Sequence, residues 1–171
     1  MRKLGKTIFL LWIIPVLLLT YSCRKSSEYV ERTAADEELE LKQTLVTLNE
    51  KYDVDTTSSG MYYIIHEPGD GPTPQAGDTC YLEYAIYFLN SVLLDASVHH
   101  TMDGIWEMYY LQDPAIDGFN EALAMMKKDM EADFLLPSNL AYGSTGAVGI
   151  APYTPLLLSL KLHDLKPVNQ E

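Results

Sequence analysis

Between Thr79 and Ser97 the chain reads TCYLEYAIYFLNSVLLDAS, a run in which side-chain character alternates with a period of two. That period places every second residue on one face of an extended chain, so the run demands a sheet with one buried face. It predicts one long or bent strand, with Asn90-Ser91 as a turn or irregular point. Two further runs obey the same rule, MYYIIHE before it and EADFLLP after it, and PLLLSLKLHDL closes the pattern. IWEMYYL reads as a short strand, and PGDGPTPQAGD and VHHTMDG read as turn and loop. Within this region only NEALAMMKKD, entered through DPAIDGF, has helical spacing. The fold class is therefore α+β: an antiparallel sheet wrapped around one short helix.

A second helix precedes the sheet. In TAADEELELKQTLVTLNEKY, Thr33 can cap the start, acids fill the first turns, and Leu41, Leu45, Leu48 and Tyr52 recur at helical spacing. The acidic run Asp36 to Glu40 reads as a match to the helix N-terminal dipole. The narrow apolar stripe can serve the following domain or a second copy of the chain, as a dimer, and the sequence does not choose between them. VDTTSSG breaks this helix.

The start of the chain reads as a processing signal. Arg2, Lys3 and Lys6 precede an apolar stretch from Ile8 to Leu19, interrupted by Pro15 and shorter than the roughly 20 residues a spanning helix needs. LTYSC follows, and it resembles a bacterial lipoprotein signal in which Cys23 becomes the acylated first residue. The expected organisation is a signal peptide over 1–22, a tether over 23–32, a helix and linker over 33–58, and the sheet domain over 59–171. With Cys23 lipidated, Cys80 is the remaining cysteine, and its alternating context predicts a small buried side chain rather than a reactive thiol. A net charge of −12 argues against a nucleic-acid partner, because phosphate binding needs Lys and Arg.

Five words in order now carry a resemblance. GDTCYLEYAI, LLDAS, AIDGFNEAL, LPSNLAYG and LLLSLKLHDL resemble the corresponding strands, helix and loop of the FKBP family of peptidyl-prolyl isomerases. The resemblance runs from about Ser59 to Lys166. It implies isomerisation of X-Pro bonds in exported proteins, assisting folding in the cell envelope, with proline-containing polypeptide segments as partners. It implies no cofactor and no metal. Position by position, it assigns catalytic roles to Tyr84, Asp95, Tyr142 and Ile150, with the Tyr142 hydroxyl and the Ile150 N–H as donors to a substrate carbonyl. It assigns the pocket wall to Leu94, Trp106, Ala115, Ile116, Phe119 and Leu158.

Several positions depart from the family pattern. Phe119 stands where tryptophan is usual, Trp106 where phenylalanine is common, and Leu94 and Leu158 replace phenylalanines. Ala85-Ile86 replaces Thr-Gly, Ala147 replaces a frequent histidine, and Asp129 takes a glycine position after the helix where a left-handed cap is expected. Asp95 has no recognisable arginine partner. The changes at Phe119, Leu94 and Leu158 support an alternative on the same fold, a non-catalytic binding or assembly module with a reshaped pocket. The pair His99-His100, without a third ligand at a recognisable spacing, reads as a solvated loop rather than a metal site. Arg24 after Cys23 favours a lipid-anchored protein of the outer membrane, facing the periplasm.

Overall fold

The computed structural model describes residues 32–168. The leader, Cys23 and most of the tether lie outside the described residues. Helix α1 spans Ala34–Asn49 and opens on a reciprocal cap: Thr33 accepts from the Asp36 N–H, and the Asp36 carboxylate accepts from the Thr33 N–H at 2.8 Å. Leu41, Leu45 and Leu48 are half-buried, whereas Tyr52 is exposed and lies beyond the helix end. Leu48 packs beside Tyr62, Ile64, Leu135 and Leu157, so part of the stripe serves the sheet of the same chain.

The sheet is antiparallel. Its strands are β1 (Asp55–Thr56), β2 (Tyr62–Glu67), β3 (Thr79–Phe88), β4 (Leu93–Ala96), β5 (Trp106–Tyr109), β6 (Glu131–Leu136) and β7 (Leu156–Lys166). The order across it is β1-β2-β6-β7-β3-β4, and β5 pairs with the first half of β3. The long run that opened the sequence reading is a hairpin, not one strand. It folds back at Asn90-Ser91, where Ser91 adopts φ +66° and the Phe88 N–H donates to the Val92 carbonyl at 2.9 Å. β1 was not expected from VDTTSSG.

Alternation selects the core. Leu156, Leu158, Leu160 and Leu162 of β7 face inward with Leu82 of β3 and with Ala132, Phe134 and Leu136 of β6. They close on Phe119, Ala122 and Leu123 of helix α2, Asp117–Met125. Burial of this apolar surface is the main source of stability. α2 starts earlier and stops earlier than NEALAMMKKD suggests. Its end is imposed from outside: Met126 is wholly buried and extended, and the Asp70 N–H donates to the Lys128 carbonyl at 2.9 Å. Asp129 does adopt the left-handed conformation, φ +62°, but in a separate turn in which the Met130 N–H donates to the Lys127 carbonyl. Cys80 is fully buried, and burial together with the charge of Asp78 pushes its thiol up to about 12.

Candidate active site

Where α2 lies across the concave face of the sheet, one end of the interface is left open as a cavity of about 350 Å³. β3 contributes Tyr84 and Ile86, β4 contributes Asp95, and β5 contributes Trp106 and Met108. The segment entering α2 supplies Asp113, Pro114, Ala115 and Ile116, the helix supplies Phe119, and the loop after β6 supplies Tyr142. Gly118 lets this happen. A Cβ there would lie 2.9 Å from both the Leu140 carbonyl and a Leu136 methyl, so only glycine lets α2 approach the loop so closely.

Seven of the residues named from sequence thus meet in one cavity: Tyr84, Asp95, Trp106, Ala115, Ile116, Phe119 and Tyr142. Three do not line it. Leu158 is fully buried on β7, opposite Ile86, and Leu94 is half-buried against the same core. Ile150 is buried in its loop, and its N–H already donates to the Ala147 carbonyl at 3.0 Å. In this structure that bond occupies the N–H to which the resemblance assigned a substrate carbonyl, and one amide hydrogen serves one good acceptor. The Ile116 N–H is the available backbone donor instead. Ile116 lines the cavity just ahead of α2, and its N–H makes no hydrogen bond among the described residues. The Tyr142 hydroxyl is likewise uncommitted among the described residues.

Tyr84 is different. Its hydroxyl donates to Asp95 Oδ2 at 2.9 Å, and its ring meets Phe119 edge-on at a centroid distance of 5.6 Å. Burial, and then the hydrogen bond and charge of Asp95, raise the Tyr84 hydroxyl well above its ordinary range, so it stays protonated and donating. The partner of Asp95 that sequence reasoning did not find is His100. Its Nε2 lies 2.9 Å from Asp95 Oδ1, and its ring packs against Trp106 at 5.1 Å and over Tyr84 at 6.5 Å. His99 Nδ1 is more distant from the same oxygen, at 3.8 Å. Burial pushes the Asp95 carboxyl up, but bonds from His100, Tyr84 and the Ala96 backbone, with the His100 charge, outweigh it and hold the group below its ordinary value. Among the described residues no group of three or more His, Cys, Asp or Glu side chains is placed to hold a metal ion.

The wall is therefore mostly aromatic and aliphatic, with a committed Tyr–Asp–His string and two free donors, a phenol and an amide. Its two carboxylates are already engaged, Asp95 by the Tyr84 hydroxyl and His100 and Asp113 by the Tyr109 N–H, so the surface left for a ligand is mainly apolar with two donors. This is the class of protein that fold and cavity define: an antiparallel sheet wrapped on a helix around a small, mostly apolar pocket bordered by two free donors.

Comparison with known proteins gives the class its family. The family model for the FKBP-type peptidyl-prolyl cis-trans isomerase matches residues 71–163. The FKBP-type peptidyl-prolyl cis-trans isomerase FkpA of Escherichia coli K12 is 30% identical over 138 residues, covering 81% of this chain and 50% of the relative. The peptidyl-prolyl cis-trans isomerase Mip of Coxiella burnetii is 28% identical over 129 residues, covering 74% of this chain and 54% of that protein. The crystal structure of FkpA from Escherichia coli superposes with a TM-score of 0.68 at 27% identity, covering 98% of this chain and 76% of that one. The chain belongs to the FKBP-type peptidyl-prolyl cis-trans isomerase family. It spans about half the length of the curated relatives it matches.

Proposed function

We propose that this chain is a peptidyl-prolyl cis-trans isomerase that acts on X-Pro bonds of exported polypeptides. One observation carries the reading: two uncommitted donors, the Tyr142 hydroxyl and the Ile116 N–H, border a mostly apolar cavity of about 350 Å³ that has room for a proline ring. Rotation about the X-Pro amide must cross a barrier of roughly 18–20 kcal/mol, because twisting removes resonance between nitrogen and carbonyl. A site lowers that barrier by binding the twisted amide better than either planar form. Phe119, Trp106 and Ile116 enclose the ring and exclude water. The two donors then hold the carbonyl as it turns out of the plane of the ring. Asp95 and His100 fix Tyr84, which stands edge-on to Phe119 and keeps the cavity floor in place. No bond to the protein is made or broken in this scheme.

We further propose that the protein is held at the cell envelope by a lipid on Cys23, on the outer membrane and facing the periplasm. The apolar stretch from Ile8 to Leu19 and the LTYSC sequence support this reading. Cys23→Ala should release the protein from membrane fractions, and continued retention would point to an uncleaved anchor.

The activity is tested with the full chain in a non-denaturing detergent, using a cis/trans assay on peptides that vary the residue before proline. Isomerisation several times faster than the uncatalysed rate is expected for at least one peptide. No acceleration with any of them would reject the isomerase and leave a binding module on the same fold.

A further inference from the structure

The loop that presents Tyr142 is gripped at both ends by residues that precede the region matched by the family model. Glu37, in the first turn of α1, is only 9% exposed although it is acidic. Its carboxylate accepts from the Ser138 backbone N–H and, at 2.7 Å, from the Ser138 hydroxyl. The Ser138 carbonyl accepts in turn from the N–H of Ala141 at 2.9 Å and of Gly143 at 2.7 Å, the two residues flanking Tyr142. At the other end, Arg32 donates to the Tyr153 carbonyl at 3.0 and 3.3 Å and is itself oriented by Glu40. The Tyr153 N–H then donates to the Gly143 carbonyl at 2.9 Å. Both grips converge on Gly143, next to the functional tyrosine.

The chemistry of Glu37 makes a passive role unsatisfactory. No Lys, Arg or His among the described residues pairs with its carboxylate, so its charge is balanced by the donors of Ser138. A carboxylate buried this far is tolerated only with its oxygens well bonded, and charge-assisted bonds of this kind are both short and directional. A directional bond to backbone constrains position, which an apolar contact at the same place would not do.

We propose that Glu37 and Arg32 are positioning residues for the isomerase reaction. They hold the backbone on either side of Tyr142 so that its hydroxyl meets the amide in the cavity. The functional unit then begins at the N-terminal helix, some forty residues before the family match at residue 71. This inference rests on the isomerase reading for its catalytic half and on geometry alone for the grip.

Glu37→Ala and Glu37→Gln are compared with the wild-type full chain in detergent by hydrogen exchange and by isomerase kinetics. Glu37→Ala should speed exchange of the Ala141 and Gly143 amides at least tenfold, leave Leu160 and Leu162 of β7 unchanged, and lower kcat several-fold with KM within twofold. Glu37→Gln keeps an acceptor for the Ser138 N–H and a group that can bond its hydroxyl, so it should restore most of both signals. Unchanged exchange at Ala141 and Gly143 in Glu37→Ala would overturn the grip. Equal acceleration at Leu160 would make Glu37 a structural residue only. A wild-type chain without isomerase activity would remove the functional reading and the catalytic half of the proposal, while the exchange measurement still decides the grip.

Discussion

Two tyrosines border the cavity, and deleting the hydroxyl from each should have opposite consequences. In Tyr84→Phe the lost group is a donor to a carboxylate at 2.9 Å. Hydrogen bonds to charged groups contribute about 1.5–3 kcal/mol. The Asp95 side chain is 39% exposed and retains His100, so water replaces part of the loss and the effect falls to about 1 kcal/mol. For a domain of this size that is a fall in Tm of about 3 °C. In Tyr142→Phe no internal partner is lost, and Tm should stay within about 1 °C of wild type. What disappears is a bond to the substrate carbonyl worth about 0.5–1.5 kcal/mol, which at about 1.36 kcal/mol per tenfold lowers kcat/KM roughly twofold to thirteenfold. Thermal unfolding followed by circular dichroism reads the first quantity and a cis/trans assay the second, on the same preparations. A Tyr142→Phe variant that melts as early as Tyr84→Phe, or that retains full kcat/KM, would refute the assignment of the two hydroxyls.

Two further outcomes follow from local geometry. Gly146 has φ +66°, and a Cβ there would sit 2.3 Å from the Ile150 carbonyl oxygen, a backbone atom that cannot swing aside. Gly146→Ala should cost about 2–4 kcal/mol, combining the left-handed penalty with overpacking, and a denaturation midpoint equal to wild type would contradict this. Asp95 gives an acid dependence of defined sign: its folded value lies below the unfolded one, so its contribution is full above about pH 4 and is lost as pH falls through the folded value. Asp95→Asn should flatten that part of the stability profile, and a profile unchanged in shape between pH 5 and pH 2 would show that the carboxylate is not held as described.

Much of the fold was legible because alternation is a local signal. Leu156 to Leu162 announce a strand with one buried face wherever they fall in the chain. The meeting of seven pocket residues was legible only through words in order, since nothing local to Phe119 says that Tyr84 will stand edge-on to it. What escaped were bonds between distant elements. His100 looked like loop, and its pairing with Asp95 depends on how the segment after β4 curls back through the turn at Ser97–His99. The bond from the Ile150 N–H to Ala147 is invisible in residue type, whereas the free Ile116 N–H follows from its place just ahead of a helix, where amides lack intrahelical acceptors. Glu37 did leave a trace. It stands four residues before Leu41 and continues the stripe of Leu41, Leu45 and Leu48, so an acid on the buried face was there to be noticed among acids read as a match to the helix dipole.

The position of β7 has a consequence in time. It is the last of the described strands, yet it lies in the middle of the sheet, with β6 on one side and β3 on the other. Until it is available, β1-β2-β6 and β3-β4-β5 have no shared ladder, and each half carries an open hydrogen-bonding edge beside uncovered leucine and phenylalanine. A chain emerging from synthesis therefore cannot close this sheet, or hide its edges, until β7 arrives. Closure of the sheet waits on β7, and the interval before it is when the open edges are most exposed to aggregation.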